Sequence, residues 1–189
     1  MEEKLRKIKR FNLIMGLFHL VQAVAMLFLA SSVIQKLSEF QPQIIQYFQT
    51  FNVTTRSLET ASKDLFQLPF GILVASFLFI SAGAHFLIVL KSDAYFKGLS
   101  QNINRFRWYE YALSSSIMIV LISTLFGIYD IVSLTLIFVA NAAMNIFGLV
   151  MEEMNSGKDK KKVDWKPFIW GSIVGLAPWV AILFYMLGT

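Results

Sequence analysis

Three ionisable side chains lie inside apolar stretches of this sequence, where a charged group is costly and marks a functional site by default. They are His19, His85 and Glu110, and each has polar company at helical spacing. His19 and Gln22 are three residues apart, Ser81 and His85 four apart, and Glu110 precedes Ser114 by four, so each pair shares a helix face. Asn141 and Asn145 repeat the spacing further on. Two histidines and a carboxylate that face one another can form one buried polar cluster. Metal binding is the usual chemistry of such a trio, but no HExxH or similar spacing accompanies these residues, and no metal is expected. Two blander readings stand beside the cluster. Glu110 can be an interfacial carboxylate that needs no partner, and His85 can snorkel to the membrane surface. The serines near Glu110 can bond back to the preceding turn or allow close helix packing. Cysteine is absent, which excludes disulfides, thiolate metal sites and cysteine nucleophiles. Phosphate loops and a serine-nucleophile elbow are missing too, so no enzyme is expected.

The elements that hold these residues follow from composition. Of 189 residues, 56% are hydrophobic and 15% charged, with mean hydropathy +0.59. A soluble domain would carry about 25% charged residues, so lipid is the expected solvent. Five stretches are long and apolar enough to cross a bilayer as helices: Phe11–Ile34, Leu68–Leu90, Trp108–Gly127, Ile131–Met151 and Pro167–Leu187. The expected fold is all-α: one membrane domain over residues 1–189, a polytopic helical bundle. The turn near Gly127–Asp130 makes spans three and four an antiparallel hairpin. Pro178 lies inside span five and predicts a kink. The apolar run near the N-terminus is too long, and lacks a small-residue cleavage site, for a signal peptide.

Charge sets the orientation. The formal charge of +5 is read first as a topology signal rather than as a nucleic-acid signal. Lys4, Arg6, Lys7, Lys9 and Arg10 precede span one. Lys91, Lys97, Arg105 and Arg107 lie between spans two and three, and Lys158, Lys160, Lys161, Lys162 and Lys166 between four and five. Those fourteen share one side, against Lys36, Arg56 and Lys63 on the other. The positive-inside rule places the fourteen, with the N-terminus, in the cytoplasm, and the C-terminus of five spans outside. No lysine or arginine is left for a mid-membrane position. His19 then lies roughly 12 Å and His85 roughly 8 Å from the cytoplasmic surface at 1.5 Å per residue. With Glu110 in the first turns of span three, all three fall in the cytoplasmic half.

The long outside loop, about residues 33–67, is ambiguous. Leu37, Phe40, Ile44, Phe48 and Phe51 recur near helical spacing behind a possible helix start at Pro42, whereas Thr50–Thr55 suits a strand. Its aromatics suit either a folded-back cover or a partner surface. Asn52-Val53-Thr54 matches a glycosylation acceptor pattern, a weak signal.

Span three carries the most specific signal. Arg107-Trp108-Tyr109-Glu110-Tyr111, followed by Ser114-Ser115-Ser116, resembles the third-helix motif of microbial rhodopsins. The choice of Glu, the serine run, the N-terminus-inside orientation and the long first outside loop resemble heliorhodopsins, the branch with inverted membrane orientation. The resemblance runs along the whole chain. It implies that Glu110 is the counterion of a retinal Schiff base, and that His19, Gln22, Ser81 and His85 form a polar cluster on its cytoplasmic side. It also implies a retinal pocket lined by Trp108, Tyr111, Ser114, Ser115, Asn141, Met144 and Pro178. The implied function is a light-sensing, retinal-binding photoreceptor of the cell membrane. Its implied partners are membrane lipid and, in the full-length parent, a second copy; no nucleic acid is expected, and the sequence names no signalling partner.

Two features qualify the resemblance. Such proteins have seven helices and a lysine in the seventh that carries retinal, whereas this sequence holds five spans without an intramembrane lysine. The expectation is a chain truncated after the fifth helix, binding no retinal covalently by itself. Outward pumps of the wider family resemble one another in a second carboxylate eleven residues beyond the first; here that position is Leu121, so a sensor is expected rather than a pump. The competing class is a non-photoactive membrane scaffold or transporter fragment. A transporter would show inverted repeats and paired helix breaks, and Pro178 is a single break.

Overall fold

The computed structural model describes residues 2–30, 40–159 and 162–188. Within them the chain forms α1 (Glu2–Phe28), β1 (Gln43–Asn52), β2 (Ser57–Gln67), α2 (Phe70–Leu90), α3 (Ser92–Ser100), α4 (Arg105–Leu125), α5 (Ile131–Met154) and α6 (Lys166–Leu187). All of these helices except α3 are long and apolar enough to cross a membrane. Their limits differ from the sequence expectation where helix continues beyond the apolar run. α1 starts at Glu2 rather than Phe11, so its basic segment is helical and extends about 13 Å ahead of the apolar run. The expected end of span one at Ile34, together with Lys36 and Leu37, lies outside the described residues, as do Lys160 and Lys161.

Caps explain several boundaries. The Asn104 side-chain oxygen accepts the Arg107 N–H at 3.2 Å and starts α4. Asp130 starts α5 in the same way. Between α4 and α5 the chain reverses through Gly127, whose φ of +88° suits glycine. The short helix α3 carries Asp93 in its first turn and Lys97 in its last, matching the helix dipole.

The described part of the long first loop forms a β-hairpin. Ile44, Phe48 and Phe51 lie in β1, which pairs antiparallel with β2, so their near-helical spacing is not used by a helix. Short apolar runs are ambiguous between the two periods. Here β-branched and aromatic residues favour the strand, and Asn52 closes the turn by accepting the Thr54 N–H at 2.9 Å. A bulge at Ile44/Ile45 aims the hairpin base at the bundle. The Ile45 N–H donates to the Tyr129 carbonyl at 3.0 Å. Fully buried Ile44 joins Leu68, Ile119, Leu121, Ile128, Leu134, Ile137 and Ile182 in one apolar core. That core closes the hairpin end of the bundle.

The spanning helices pack in chain order: α1 on α2, α2 on α4, α4 on α5, α5 on α6. Among the described residues, α1 and α6 do not pack extensively on one another, so the spanning helices form an arc. Small residues set the closest approaches. A Cβ on Gly148 would strike the Trp108 ring, and one on Gly175 would strike Met144. α6 continues through buried Pro178 as one helix on its α5-facing side.

Asp130 fastens the hairpin to this frame. Its Oδ2 accepts both the N–H and the hydroxyl of Ser133 at 2.8 Å. Partial burial pushes its carboxyl up, but hydrogen bonds from Ser133 and from the Val132 and Tyr47 backbones outweigh this and hold it below its ordinary range. The ionised form therefore carries the fastening, fully present above about pH 4 and lost as pH falls through the lower folded value. Asp130→Ala is expected to cost about 0.5–2 kcal/mol of stability, as for other lost caps. It should also raise hydrogen exchange at the Tyr47 amide at neutral pH, whereas the wild type, corrected for intrinsic rates, should show that rise only in acid.

Candidate functional site

The half of the arc nearer the start of α1 is hollow. A cavity of about 820 Å³ lies among α1, α2, α3 and α4. Apolar side chains such as Phe11, Phe77, Ile88 and Met118 form much of its wall. Set into that wall are His19, Ser81, His85, Glu110, Ser114 and Ser115.

Two hydrogen-bonded groups meet there. In the first, the Ser81 hydroxyl donates to Glu110 Oε1 at 2.5 Å, joining α2 to α4. Glu110 is half-buried and forms no ion pair among the described residues. In the second, the His19 and His85 rings stack at 5.5 Å between centroids and 13° between planes. Gln22 Oε1 meets His19 Nδ1 at 3.1 Å, and Asn12 Oδ1 meets His85 Nδ1 at 2.8 Å. Asn12 donates its own amide to the Ile8 carbonyl at 2.9 Å, which turns its oxygen toward His85. An oxygen only accepts, so neutral His85 carries its proton on Nδ1 and keeps Nε2 as the free base.

The two groups share the cavity and α2, where Ser81 and His85 are one turn apart, but no direct hydrogen bond joins Glu110 to either histidine among the described residues. Tyr111 also lines the cavity, whereas Trp108, Asn141, Met144 and Pro178 do not. Trp108 packs on Gly148 and Met144 on Gly175. Buried Asn141 donates to Ser115 and Ser116 at 2.8 and 3.0 Å, and Asn145 donates to Ser115 at 3.2 Å. These residues tie α4 to α5 in mid-membrane.

Sequence reasoning passed over two contributors. Asn12 sits seven residues before His19, two turns down the same face, and that period was its only signal. Glu152 gave no local signal. Its carboxylate takes the Asn104 N–H at 2.7 Å and Arg107 Nη2 at 2.5 Å, so the end of α5 grips the start of α4 one turn before Glu110. Arg107 also lies 4.6 Å over the Trp108 ring.

A helical membrane arc with a carboxylate and a histidine pair in an apolar cavity defines a class: a multi-pass membrane protein with an intramembrane charge site. Residues 8–189 match the model of the heliorhodopsin family, and the chain belongs to that family. No curated protein matches it.

The Glu152 clamp has a measurable consequence. Its side chain is 15% exposed, against 42% for Glu153, which pairs with Arg105 at 2.8 Å. Glu152→Ala leaves Arg107 and the Asn104 N–H unpaired and should cost about 1–3 kcal/mol. Glu153→Ala should cost about 0–1 kcal/mol. Thermal unfolding of both variants in one detergent compares them, and equal losses would reject the clamp.

Proposed function

We propose that this chain is the counterion-bearing part of a light-sensing, retinal-binding membrane protein that neither pumps ions nor catalyses a reaction. The observation that carries this reading is Glu110, held by Ser81 at the wall of an apolar cavity without an ion-pair partner among the described residues. A carboxylate so placed favours an opposite charge. Family membership supports retinal as the chromophore, which supplies light absorption in full-length members. The residues here fit that group on the anion side alone. Within the five spanning helices, lysines occur only in the first turns of α1 (Lys4, Lys7, Lys9) and at the start of α6 (Lys166), so the apolar parts of the five spans offer no amine for a covalent link. What the chain itself contributes is a carboxyl group at Glu110, with the His85 ring in the same cavity. Leu121, buried in the apolar core, offers no second carboxylate for a one-way proton path, which favours sensing over pumping.

Adding all-trans retinal should give no red-shifted visible band with this five-helix chain. The band should appear when two further helices bearing a lysine are supplied, and it should shift in Glu110→Gln. A band that is indifferent to Glu110 would reject the counterion role.

The fourteen-to-three bias of basic residues supports a cytoplasmic N-terminus. Single cysteines at Ser57, in the hairpin, and Ser156, beyond α5, should react with an impermeant reagent from opposite faces of sealed vesicles. Reaction from the same face would overturn the topology.

A further inference from the structure

The basic residues of α1 divide between two faces of the helix. Lys7 lines the cavity, beside Ile8, Phe11, Asn12 and His19 of the same helix, and pairs with Glu3 at 2.7 Å. α1 meets α2 through Asn12, which bonds to His85, and Gly16, which lies against Phe86. Arg6, Lys9 and Arg10 take neither side. They follow one another at the i, i+3, i+4 spacing of a single face, are exposed, and line no part of the cavity. Leu13, Leu17 and Val24 continue that face along the helix, at 45%, 49% and 53% exposure. No acidic residue stands three or four positions from Lys9 or Arg10, and neither forms an ion pair among the described residues. Their neighbours at that spacing include Arg6 and Lys7, so the face repels itself.

We propose that Arg6, Lys9 and Arg10 bind an anionic phospholipid, its headgroup phosphate among the three cations and an acyl chain along Leu13, Leu17 and Val24. Depth selects a lipid over a soluble partner. Arg10 directly precedes the apolar run that begins at Phe11, and Arg6 lies about 6 Å further out at 1.5 Å per residue. The headgroup layer on each side of a bilayer is about 5–7 Å deep. The three cations therefore stand within that layer and the three apolar residues in the hydrocarbon beneath it. An acidic protein or a nucleic acid would first have to displace the headgroups already at that depth. Chemistry selects the charge. Guanidinium forks suit the two free oxygens of a phosphodiester, and the Lys9 ammonium adds a point charge beside them. A zwitterionic lipid answers its phosphate with its own ammonium, whereas a net-anionic lipid leaves charge for the protein to meet. The site lies apart from the cavity, and it depends neither on light nor on which leaflet the start of α1 enters.

The test uses the chain in phosphatidylcholine nanodiscs, which present both leaflets, with a trace of phosphatidylglycerol carrying a photoreactive acyl chain. Peptide mapping should find adducts concentrated on α1 around Leu13, Leu17 and Val24. The same probe built on phosphatidylcholine should label the lipid-facing helices without that preference. Unlabelled phosphatidylglycerol should suppress the α1 adducts, whereas inorganic phosphate should not. Lys9→Gln with Arg10→Gln should weaken that competition about tenfold or more, from a loss of about fivefold per basic residue at an anionic surface. Lys4→Gln with Lys7→Gln removes as many positive charges from the other side of α1 and should keep most of it. Equal losses in the two double variants would mean diffuse attraction and overturn the site. Equal α1 labelling by the two probes would overturn it as well. Suppression by inorganic phosphate would assign the cations to a free anion and reject the lipid. The wild-type probe and competition series decides alone if a variant does not fold.

Discussion

Hydrocarbon offers no hydrogen bonds, so every polar atom a helix carries into it must find its partner inside the protein. This chain meets that demand at two levels of the bundle. At mid-membrane, Asn141 and Asn145 reach across to the serines of α4 and bind α4 to α5. Nearer the α1 N-terminal end, Ser81 answers Glu110 while Asn12 and Gln22 answer the two histidines. The first set is neutral: its amides and hydroxyls bond to one another and to the Tyr111 and Asn141 carbonyls. The second set is ionisable, because a carboxyl group and two imidazoles belong to it. Structure and candidate function separate along that difference.

The two ends of the bundle are correspondingly unlike. At the hairpin end, Ile44, Leu68, Ile128 and their neighbours pack into a dry core beneath the hairpin base. At the other end lies the cavity, bordered by the basic extension of α1 and by α3. An apolar plug thus lies on one side of Glu110 and the cavity on the other. Leu121 in the plug belongs to the same asymmetry.

Glu110 owes its position to contacts outside its own helix. Glu152 takes two donors from the start of α4, and the Trp108 ring rests on Gly148. Together these set the height and rotation of α4 against α5, and with them the direction in which Glu110 points. The closeness of α5 and α6 follows the same logic, since Gly171 and Gly175 admit Phe147 and Met144 where larger residues would hold the helices apart.

Much of this was legible in the chain. Apolar length alone marks five spans, because the bilayer thickness sets a minimum run of residues, and the excess of basic residues on one side argues an orientation. The depths of His19, His85 and Glu110 follow from a fixed rise per residue, so their convergence on one half of the bundle could be read without coordinates. The motif from Arg107 to Tyr111 carried the family. Tertiary structure decided the rest. Helical periodicity says which residues share a face but not which face meets which neighbour, so the stacking of His19 on His85, and the division of the polar residues into a Glu110 group and a histidine group, needed the packing of α1, α2 and α4. The long first loop became a hairpin because pairing between β1 and β2 and burial of Ile44 outweighed a local spacing compatible with a helix. Glu152 was invisible to sequence reasoning because its partners lie more than forty residues away, and a long-range ion pair leaves no local pattern.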